Sequence, residues 1–328
     1  MVMGGGIMVT LVMVPPQDEE TAGWPERLEA EVAGLRVVRP GSRQEAREQL
    51  AGAEAAFGEV GPELFAVAER LRWVQAPVAG PAPGFFHRGL VESDVVVTNM
   101  RDTYTDHVSA HAMALVLALA RGLPKYVRDQ DAGRWAPERG DAAVLALSEA
   151  RALVVGVGAL GAEIGRQLAV FGAEVVGTDA RRDGPPEGFA ELWHAEAMDA
   201  LLPGADLVVV TVPHTPRTEG MFDAARFARC KPGAFFVNVG RGPVVDLGAL
   251  TAALDDGPLR GAALDVFAEE PLPAGDPLWA RHDVLITPHV AGVGPHAAER
   301  RYAVLRENAA RFVAGRDLVN VVDKTQGA

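Results

Sequence analysis

A glycine-rich turn between a predicted strand and a predicted helix constrains the fold more than any other feature of this sequence. The apolar run Ala152–Val157 leads into Gly-Val-Gly-Ala-Leu-Gly, which starts at Gly156, and the helical stretch Ala162–Phe171 follows. In this context the first glycine permits a tight turn, Gly158 lets a pyrophosphate approach the backbone, and Gly161 allows close packing of helix on strand. The phosphates then face the N–H groups and positive dipole end of the helix. The turn predicts a dinucleotide-binding α/β unit.

An acidic residue follows at the end of the next predicted strand. Asp179 stands about 20 residues after the glycine turn, where a carboxylate can accept hydrogen bonds from ribose hydroxyls. Its charge repels a 2′-phosphate, so NAD is the expected cofactor; Arg181 or Arg182 could bind that phosphate, so NADP stays open. The residues predicted to contact the cofactor follow strand ends of one sheet: Gly156, Gly158, Ala159, Leu160, Gly161, Asp179, Ala180, Arg181, Val212, Pro213, Thr218, Val239, Gly240, Asp265 and His289.

Predicted strands and helices alternate along the chain, which is typical of a parallel sheet covered by helices on both faces. The first series has strands Val9–Val14, Leu35–Val38, Glu54–Phe57, Arg72–Gln75 and Val95–Thr98, with helices Trp24–Ala33, Arg43–Ala51 and Pro62–Arg70. The second has strands Ala152–Val157, Glu174–Thr178, Asp206–Val212, Ala234–Val239, Gly261–Asp265 and Val284–Thr287. Two long helices, Thr103–Arg121 and His296–Ala314, flank the second series. The sequence therefore predicts an α/β protein with two doubly wound parallel sheets.

Composition narrows the class of protein further. With 328 residues, the chain exceeds the size at which single hydrophobic cores usually stop growing, which favours two domains. Its longest apolar run, Ala112–Ala120, is shorter than the roughly 20 residues that a membrane-spanning helix needs. A single cysteine, Cys230, excludes an internal disulfide framework and a cysteine-rich metal site, and favours a cytoplasmic location. A formal charge of −13 repels nucleic acid and anionic lipid, so neither is an expected partner.

Three further strand ends carry an arginine, a carboxylate and a histidine: Arg241, Glu270 and His289. The carboxyl ends of parallel strands meet at one edge of a sheet, where ligands bind. Reduction of a ketone by hydride needs a proton donor, a task that suits imidazolium, and a fixed cation for a substrate carboxylate, a task that suits guanidinium. A carboxylate on the far imidazole nitrogen holds the tautomer and favours the protonated form. We predict that His289 is the acid/base, Arg241 the substrate anchor and Glu270 the partner of the histidine.

The ordered set of these motifs resembles the D-isomer-specific 2-hydroxyacid dehydrogenase family. The likeness covers nearly the whole chain, including Asn308 in the last helix and the tail Val319–Asp323. The resemblance implies interconversion of a 2-oxo acid and a D-2-hydroxy acid with NAD(P)H. It also implies that Arg241, Glu270 and His289 hold the roles assigned above.

The resemblance carries an expectation for the domains as well. It implies a flavodoxin-like substrate domain formed by residues 1–101 and 290–328, and a Rossmann cofactor domain formed by residues 102–289, with the active site in the cleft. It further implies a homodimer formed through the cofactor domains. The polar stretch Arg121–Glu149 fits either a subunit contact or a surface loop.

The loop after the fourth strand departs from the family pattern, in which the backbone N–H groups of a Gly-Ala-Gly-like turn hold the substrate carboxylate. Here Val78, Ala79 and Gly80 can donate, whereas the neighbouring prolines cannot. Phe85 and Phe86 fit either an apolar wall for the substrate or core packing. Because the loop has no lysine or arginine, we expect glyoxylate, hydroxypyruvate or an apolar 2-oxo acid rather than a phosphorylated substrate.

Two other functions stay open on the sequence. Corepressors that resemble this family keep its fold and use NAD(H) to control assembly, so an NAD(H)-sensing binding protein is the main alternative. A formate or phosphonate dehydrogenase is the third. Turnover across a set of 2-oxo acids separates these possibilities.

Overall fold

The structure, a computed structural model, describes residues 8–81, 83–138 and 144–325. The chain divides into two units: Met1–Thr103 with Gly294–Ala328, the first unit, and Tyr104–Val293, the second unit. The domain boundaries expected from the sequence differ from these by a few residues, and their outermost parts, 1–7 and 326–328, lie outside the described residues.

The first unit contains a five-stranded parallel sheet in the order β2-β1-β3-β4-β5. The strands are β1 (Val9–Met13), β2 (Leu35–Val38), β3 (Ala55–Phe57), β4 (Trp73–Gln75) and β5 (Val96–Thr98). Its helices are α1 (Trp24–Glu31), α2 (Arg43–Leu50), α3 (Pro62–Phe65), α4 (Arg88–Val91) and α11 (Ala297–Val313). The five predicted strands are confirmed, whereas α3 is shorter than predicted because the chain after Phe65 continues in i→i+3 turns.

Apolar burial on both faces explains β1, an inner strand of this sheet. Leu11, Val12 and Met13 in β1 are fully buried, as expected for a strand covered on two sides. The last helix packs in the same unit, since the rings of Tyr302 in α11 and Trp24 in α1 lie 5.7 Å apart. This contact agrees with the expectation that the C-terminal segment belongs with the first series of strands.

The second unit contains a seven-stranded parallel sheet in the order β12-β11-β10-β9-β6-β7-β8. The strands are β6 (Arg151–Val155), β7 (Glu174–Asp179), β8 (Glu191–His194), β9 (Leu207–Val210), β10 (Ala234–Asn238), β11 (Leu259–Leu264) and β12 (Val284–Ile286). Six of them were predicted, and the edge strand β8 was not. It reads Glu-Leu-Trp-His, lacks β-branched residues and is mostly exposed, so it has no buried-strand pattern.

The helices of the second unit are α5 (Thr105–Ala120), α6 (Leu123–Asp131), α7 (Ala159–Val170), α8 (Met198–Leu201), α9 (Ala224–Phe227) and α10 (Leu247–Asp255). Helix α6 lies in the stretch expected to be a loop or a subunit contact, of which residues 139–143 lie outside the described part. The Arg128 guanidinium fastens α6 by donating to the carbonyls of Arg281 and His282. In the described ranges, no helix combines the length and apolar character needed to cross a bilayer.

Candidate active site

The glycine turn lies where the strand order of the second sheet reverses, between β6 and β9, which is the usual ligand site of such sheets. A side chain at Gly156 would lie 2.7 Å from Val212 Cγ1, and one at Gly161 would lie 2.0 Å from the Gly156 carbonyl oxygen. At Gly158, by contrast, a Cβ would meet no heavy atom of the described residues within 4 Å. The first and third glycines permit close packing and the second leaves open space, which fits the approach of a pyrophosphate.

Asp179 holds this turn in addition to ending β7. Its Oδ2 accepts from the Val157 N–H at 2.8 Å, and its Oδ1 accepts from the N–H groups of Arg181 and Arg182 at 2.8 and 3.0 Å. A carboxylate offers about four acceptor positions, so roughly one stays available to a ribose hydroxyl. The Arg182 side chain donates from Nε to the Val157 carbonyl at 2.8 Å, which places a guanidinium beside the turn.

The loop that follows β9 is closed by the Thr218 hydroxyl. It donates to the Pro213 carbonyl at 2.6 Å and accepts from the Thr215 N–H at 2.8 Å. This internal role was not visible in the sequence. His214 lies 3.8 Å from the Glu219 carboxylate with 18% of its side chain exposed, so it is less solvated than a free loop histidine.

The other residues predicted to contact the cofactor also follow strand ends of this sheet. Ala159 and Leu160 begin α7, Ala180 is exposed after β7, and Val239 and Gly240 are buried after β10. Their contacts with a cofactor stay predictions.

Buried Asn238 shapes the loop that presents Arg241. Its side chain accepts from the Gly240 N–H at 3.0 Å and donates to the Arg241 carbonyl at 3.2 Å. The guanidinium donates to the Gly240 carbonyl at 2.7 Å. A Cβ at Gly242 would lie 1.9 Å from the carbonyl carbon of Phe267, so only glycine lets the two loops pack this closely.

Glu270 and His289 form a direct pair. The Glu270 Oε2 lies 2.7 Å from His289 Nδ1, and its Oε1 accepts from the Phe267 N–H at 2.9 Å. Because a carboxylate accepts, Nδ1 carries the hydrogen and Nε2 is directed to other partners. The side chains of Glu270 and His289 are 37% and 48% exposed, so a small molecule can reach the pair.

Arg241 belongs to the same charged group. Burial lowers the pKa of its guanidinium, and the nearby Glu270 carboxylate opposes this shift by attraction. Arginine stays protonated in proteins, so its guanidinium is a fixed positive charge that attracts the Glu270 carboxylate. The structure thus brings together Arg241, Glu270 and His289, and their catalytic roles stay predictions.

His289 has a φ of 53°, in the left-handed region that non-glycine residues rarely adopt. Its N–H donates to the Asp265 carbonyl at 2.8 Å, and the next two N–H groups, of Val290 and Ala291, donate to the Asp265 carboxylate at 3.0 and 3.1 Å. That carboxylate is 1% exposed. Its predicted contact with the cofactor stays a prediction, and its role in holding the histidine loop was missed from the sequence.

In the first unit, the loop after β4 is held by its carbonyl groups. Ala79 accepts from Asn99 Nδ2 at 2.7 Å, and Val78 accepts from the Met100 N–H at 3.2 Å. Among residues 8–81, 83–138 and 144–325, no acceptor faces the N–H groups of Val78 and Ala79. Phe85 is 3% exposed and belongs to the core of this unit, so core packing is the correct reading for that side chain.

The profile of the family described as "D-isomer specific 2-hydroxyacid dehydrogenase, NAD binding domain" matches residues 113–291. The chain belongs to this family. A solved D-isomer specific 2-hydroxyacid dehydrogenase from Xanthobacter autotrophicus Py2, in complex with NADPH and MES, is 33% identical, with a TM-score of 0.83 over 98% of this chain and 100% of that chain. The NADPH-dependent glyoxylate/hydroxypyruvate reductase of Sinorhizobium meliloti, in complex with NADP and sulfate, is 28% identical, with a TM-score of 0.83 over 98% of this chain and 100% of that chain.

A third relative extends this similarity. Glyoxylate/hydroxypyruvate reductase B of Citrobacter koseri is 33% identical over 271 residues, which cover 81% of this chain and 82% of that protein. As a member of the 2-hydroxyacid dehydrogenase family, the protein is an NAD(P)-dependent oxidoreductase that acts on a CH–OH group.

Proposed function

We propose that this dehydrogenase reduces a small 2-oxo acid, such as glyoxylate, hydroxypyruvate or an apolar 2-oxo acid, to the D-2-hydroxy acid. The observation that carries the proposal is the 2.7 Å contact of Glu270 with His289 Nδ1, together with the attraction between Glu270 and the Arg241 guanidinium. We assign the second unit to the cofactor and the first unit to the substrate. In the first unit, the N–H groups of Val78, Ala79 and Gly80 would bind the substrate carboxylate.

Each of the three residues has a distinct task in this proposal. The bound nicotinamide supplies the hydride. His289 donates a proton from Nε2 to the carbonyl oxygen, because its Nδ1 is committed to Glu270. Glu270 orients the ring and stabilises its protonated form. Arg241 binds the substrate carboxylate and polarises the carbonyl group.

The substrate class is tested by turnover. Purified protein is mixed with NADH or NADPH and with glyoxylate, hydroxypyruvate, pyruvate, an apolar 2-oxo acid or 3-phosphohydroxypyruvate, and the loss of absorbance of the reduced cofactor is followed. We expect the unphosphorylated acids to be preferred, since the sequence of the loop after β4, residues 76–86, contains no lysine or arginine, and the reductase names of two relatives support this. Preference for the phosphorylated acid would contradict the substrate class. Cofactor binding without turnover on any acid would favour a nucleotide-sensing protein.

We also propose that NAD is the preferred cofactor, because the Asp179 carboxylate stands at the end of β7, where it would repel a 2′-phosphate. We expect kcat/KM for NADH to exceed that for NADPH by about tenfold or more, and Asp179→Ser to reduce this ratio. The complexes of two relatives contain NADPH or NADP, so the measurement is decisive for this chain. A wild-type preference for NADPH would assign the 2′-phosphate to Arg181 or Arg182 instead.

A cytoplasmic homodimer completes the proposal. Helix α6 and the residues after it expose large apolar side chains, with Leu123 47%, Val127 56% and Trp135 97% exposed. Exposed apolar groups of this size favour a protein interface, and a second copy is the expected partner. Light scattering after gel filtration should give twice the chain mass, and Val127→Glu should lower it. A monomer at micromolar concentration would contradict the dimer. The single buried cysteine supports the cytoplasmic location.

A further inference from the structure

We propose that His111 is a positioning residue for catalysis, which holds the loop of His289 through Thr287 and Asp265. The inference rests on the proposed role of His289 as proton donor. His289 has a left-handed backbone conformation, and its proposed role needs one orientation of the ring, so surrounding groups must hold its loop in place.

The Asp265 carboxylate is the centre of the support. It is buried directly after β11, and a buried carboxylate is stable only when donors surround it. The N–H groups of Val290 and Ala291 provide two donors. The Thr287 hydroxyl provides a third, at 2.6 Å from Oδ1. These bonds fix the backbone on both sides of His289.

His111 ends this chain of hydrogen bonds. Its Nε2 lies 3.0 Å from the Thr287 hydroxyl oxygen and 3.5 Å from Asp265 Oδ1. Because the hydroxyl gives its only hydrogen to Asp265, it can only accept from His111, so the imidazole carries a hydrogen on Nε2. The order of donation is therefore His111 to Thr287 to Asp265.

The helix that carries His111 is a rigid support. Helix α5 packs against α7 and against strands β10 and β11, and its inner side chains Ala112, Leu115, Val116 and Leu119 are buried. The hydrogen bond from His111 thus ties the histidine loop to a helix fixed in the core of the second unit. Its loss should let the loop sample other conformations, which lowers the fraction of molecules with His289 correctly placed.

Two pairs of variants test the hydrogen bond. His111→Leu removes the donor, whereas His111→Gln keeps an amide donor at the position of Nε2; Thr287→Val removes the hydroxyl, whereas Thr287→Ser keeps it. We expect the Leu and Val variants to lose about fivefold to tenfold in kcat, the scale of one hydrogen bond, with the KM for NADH unchanged. The Gln and Ser variants should recover most of the lost kcat. The double variant His111→Leu, Thr287→Val should lose no more than either single one.

The substitution His111→Leu is also made in the His289→Asn variant, which separates this inference from the proposed function. If His111 acts through His289, His111→Leu should not lower the residual turnover of His289→Asn further. An equal loss in both backgrounds, or an unchanged kcat in His111→Leu, would overturn the inference. A failure of the proposed function has a different signature, since His289→Asn alone would then turn over like the wild type. If His111→Leu does not fold by its thermal unfolding midpoint, the Thr287 pair gives the same test.

Discussion

Two loops in this protein follow the ends of parallel strands and use their peptide groups in opposite ways. After β12, the loop Thr287–Ala291 gives three of its N–H groups to Asp265: His289 donates to the carbonyl, and Val290 and Ala291 donate to the carboxylate. What this loop presents is a side chain, His289, which is about half exposed.

The loop after β4 is built the other way. There the carbonyls of Val78 and Ala79 are taken by Met100 and Asn99, and in the described ranges the N–H groups of Val78 and Ala79 face no acceptor. This loop presents backbone donors rather than a side chain. When the carbonyl groups of a loop are bonded inside the protein, as after β4, its N–H groups can bind an anion. When the N–H groups are bonded inside the protein, as after β12, the loop presents a side chain instead.

Substitution of His289, the side chain that the first loop presents, should have the largest effect on kcat. His289→Ala removes the proton donor and leaves the Asp265 network in place, so we expect kcat to fall roughly 10²- to 10⁴-fold with little change in stability. Steady-state kinetics and thermal unfolding measure the two quantities. Wild-type turnover in this variant would remove His289 from the mechanism.

Removal of the Asp265 carboxylate, which accepts from the first of these loops, comes next. Asp265→Ala leaves buried N–H groups without a partner, so the free energy of unfolding should fall by about 2–4 kcal/mol and kcat should fall with it. Urea denaturation measures the first quantity. Asp265→Asn is the matched control, because it keeps one acceptor oxygen and should lose less. Unchanged stability in Asp265→Ala would mean that the loop keeps its conformation without the carboxylate, which would contradict the role given to Asp265.

Arg241→Lys asks how much of the substrate affinity depends on a side chain rather than on backbone donors. A lysine keeps the charge but not the planar fork, so we expect KM for the 2-oxo acid to rise about tenfold or more. An unchanged KM would mean that backbone N–H groups alone bind the substrate carboxylate. Cofactor affinity, measured by fluorescence titration with NADH, should not change.

Asn99→Leu tests the second loop and should have a smaller effect. It releases the Ala79 carbonyl, so we expect KM for the 2-oxo acid to rise about fivefold while kcat changes little. Because an ionised aspartate cannot donate to a carbonyl, Asn99→Asp should raise KM to a similar extent. A loss confined to kcat would mean that this loop does not bind the substrate.

The smallest effect concerns Cys230, which belongs to neither loop and serves as a reference. Burial raises the pKa of its thiol to about 11, so the thiolate is disfavoured in the folded protein. Because the unfolded thiol ionises near 9, its contribution to stability is present below that pH and is lost as the pH rises from about 9 to about 11. Labelling with a thiol reagent should therefore be slow in the wild type and faster in Asp265→Ala. Fast labelling of the wild type would contradict the burial.

The sequence by itself predicted the two parallel sheets, the glycine turn and the strand ends that carry Arg241, Glu270 and His289. Each of these depends on local spacing: strand, turn and helix lie within a few residues of one another, and an apolar run shows burial directly. It did not predict β8 or α6. An exposed edge strand and a polar helix carry too few apolar residues to form a pattern.

Only the tertiary structure decided which groups support the catalytic residues. His111, Asp265 and Thr287 are far apart in the chain and meet through one helix and two strands. Asn99 reaches Ala79 from the end of a neighbouring strand. A hydrogen bond between distant residues leaves no periodic trace in a sequence, because it depends on where the sheet places two strand ends rather than on the order of residues along either one.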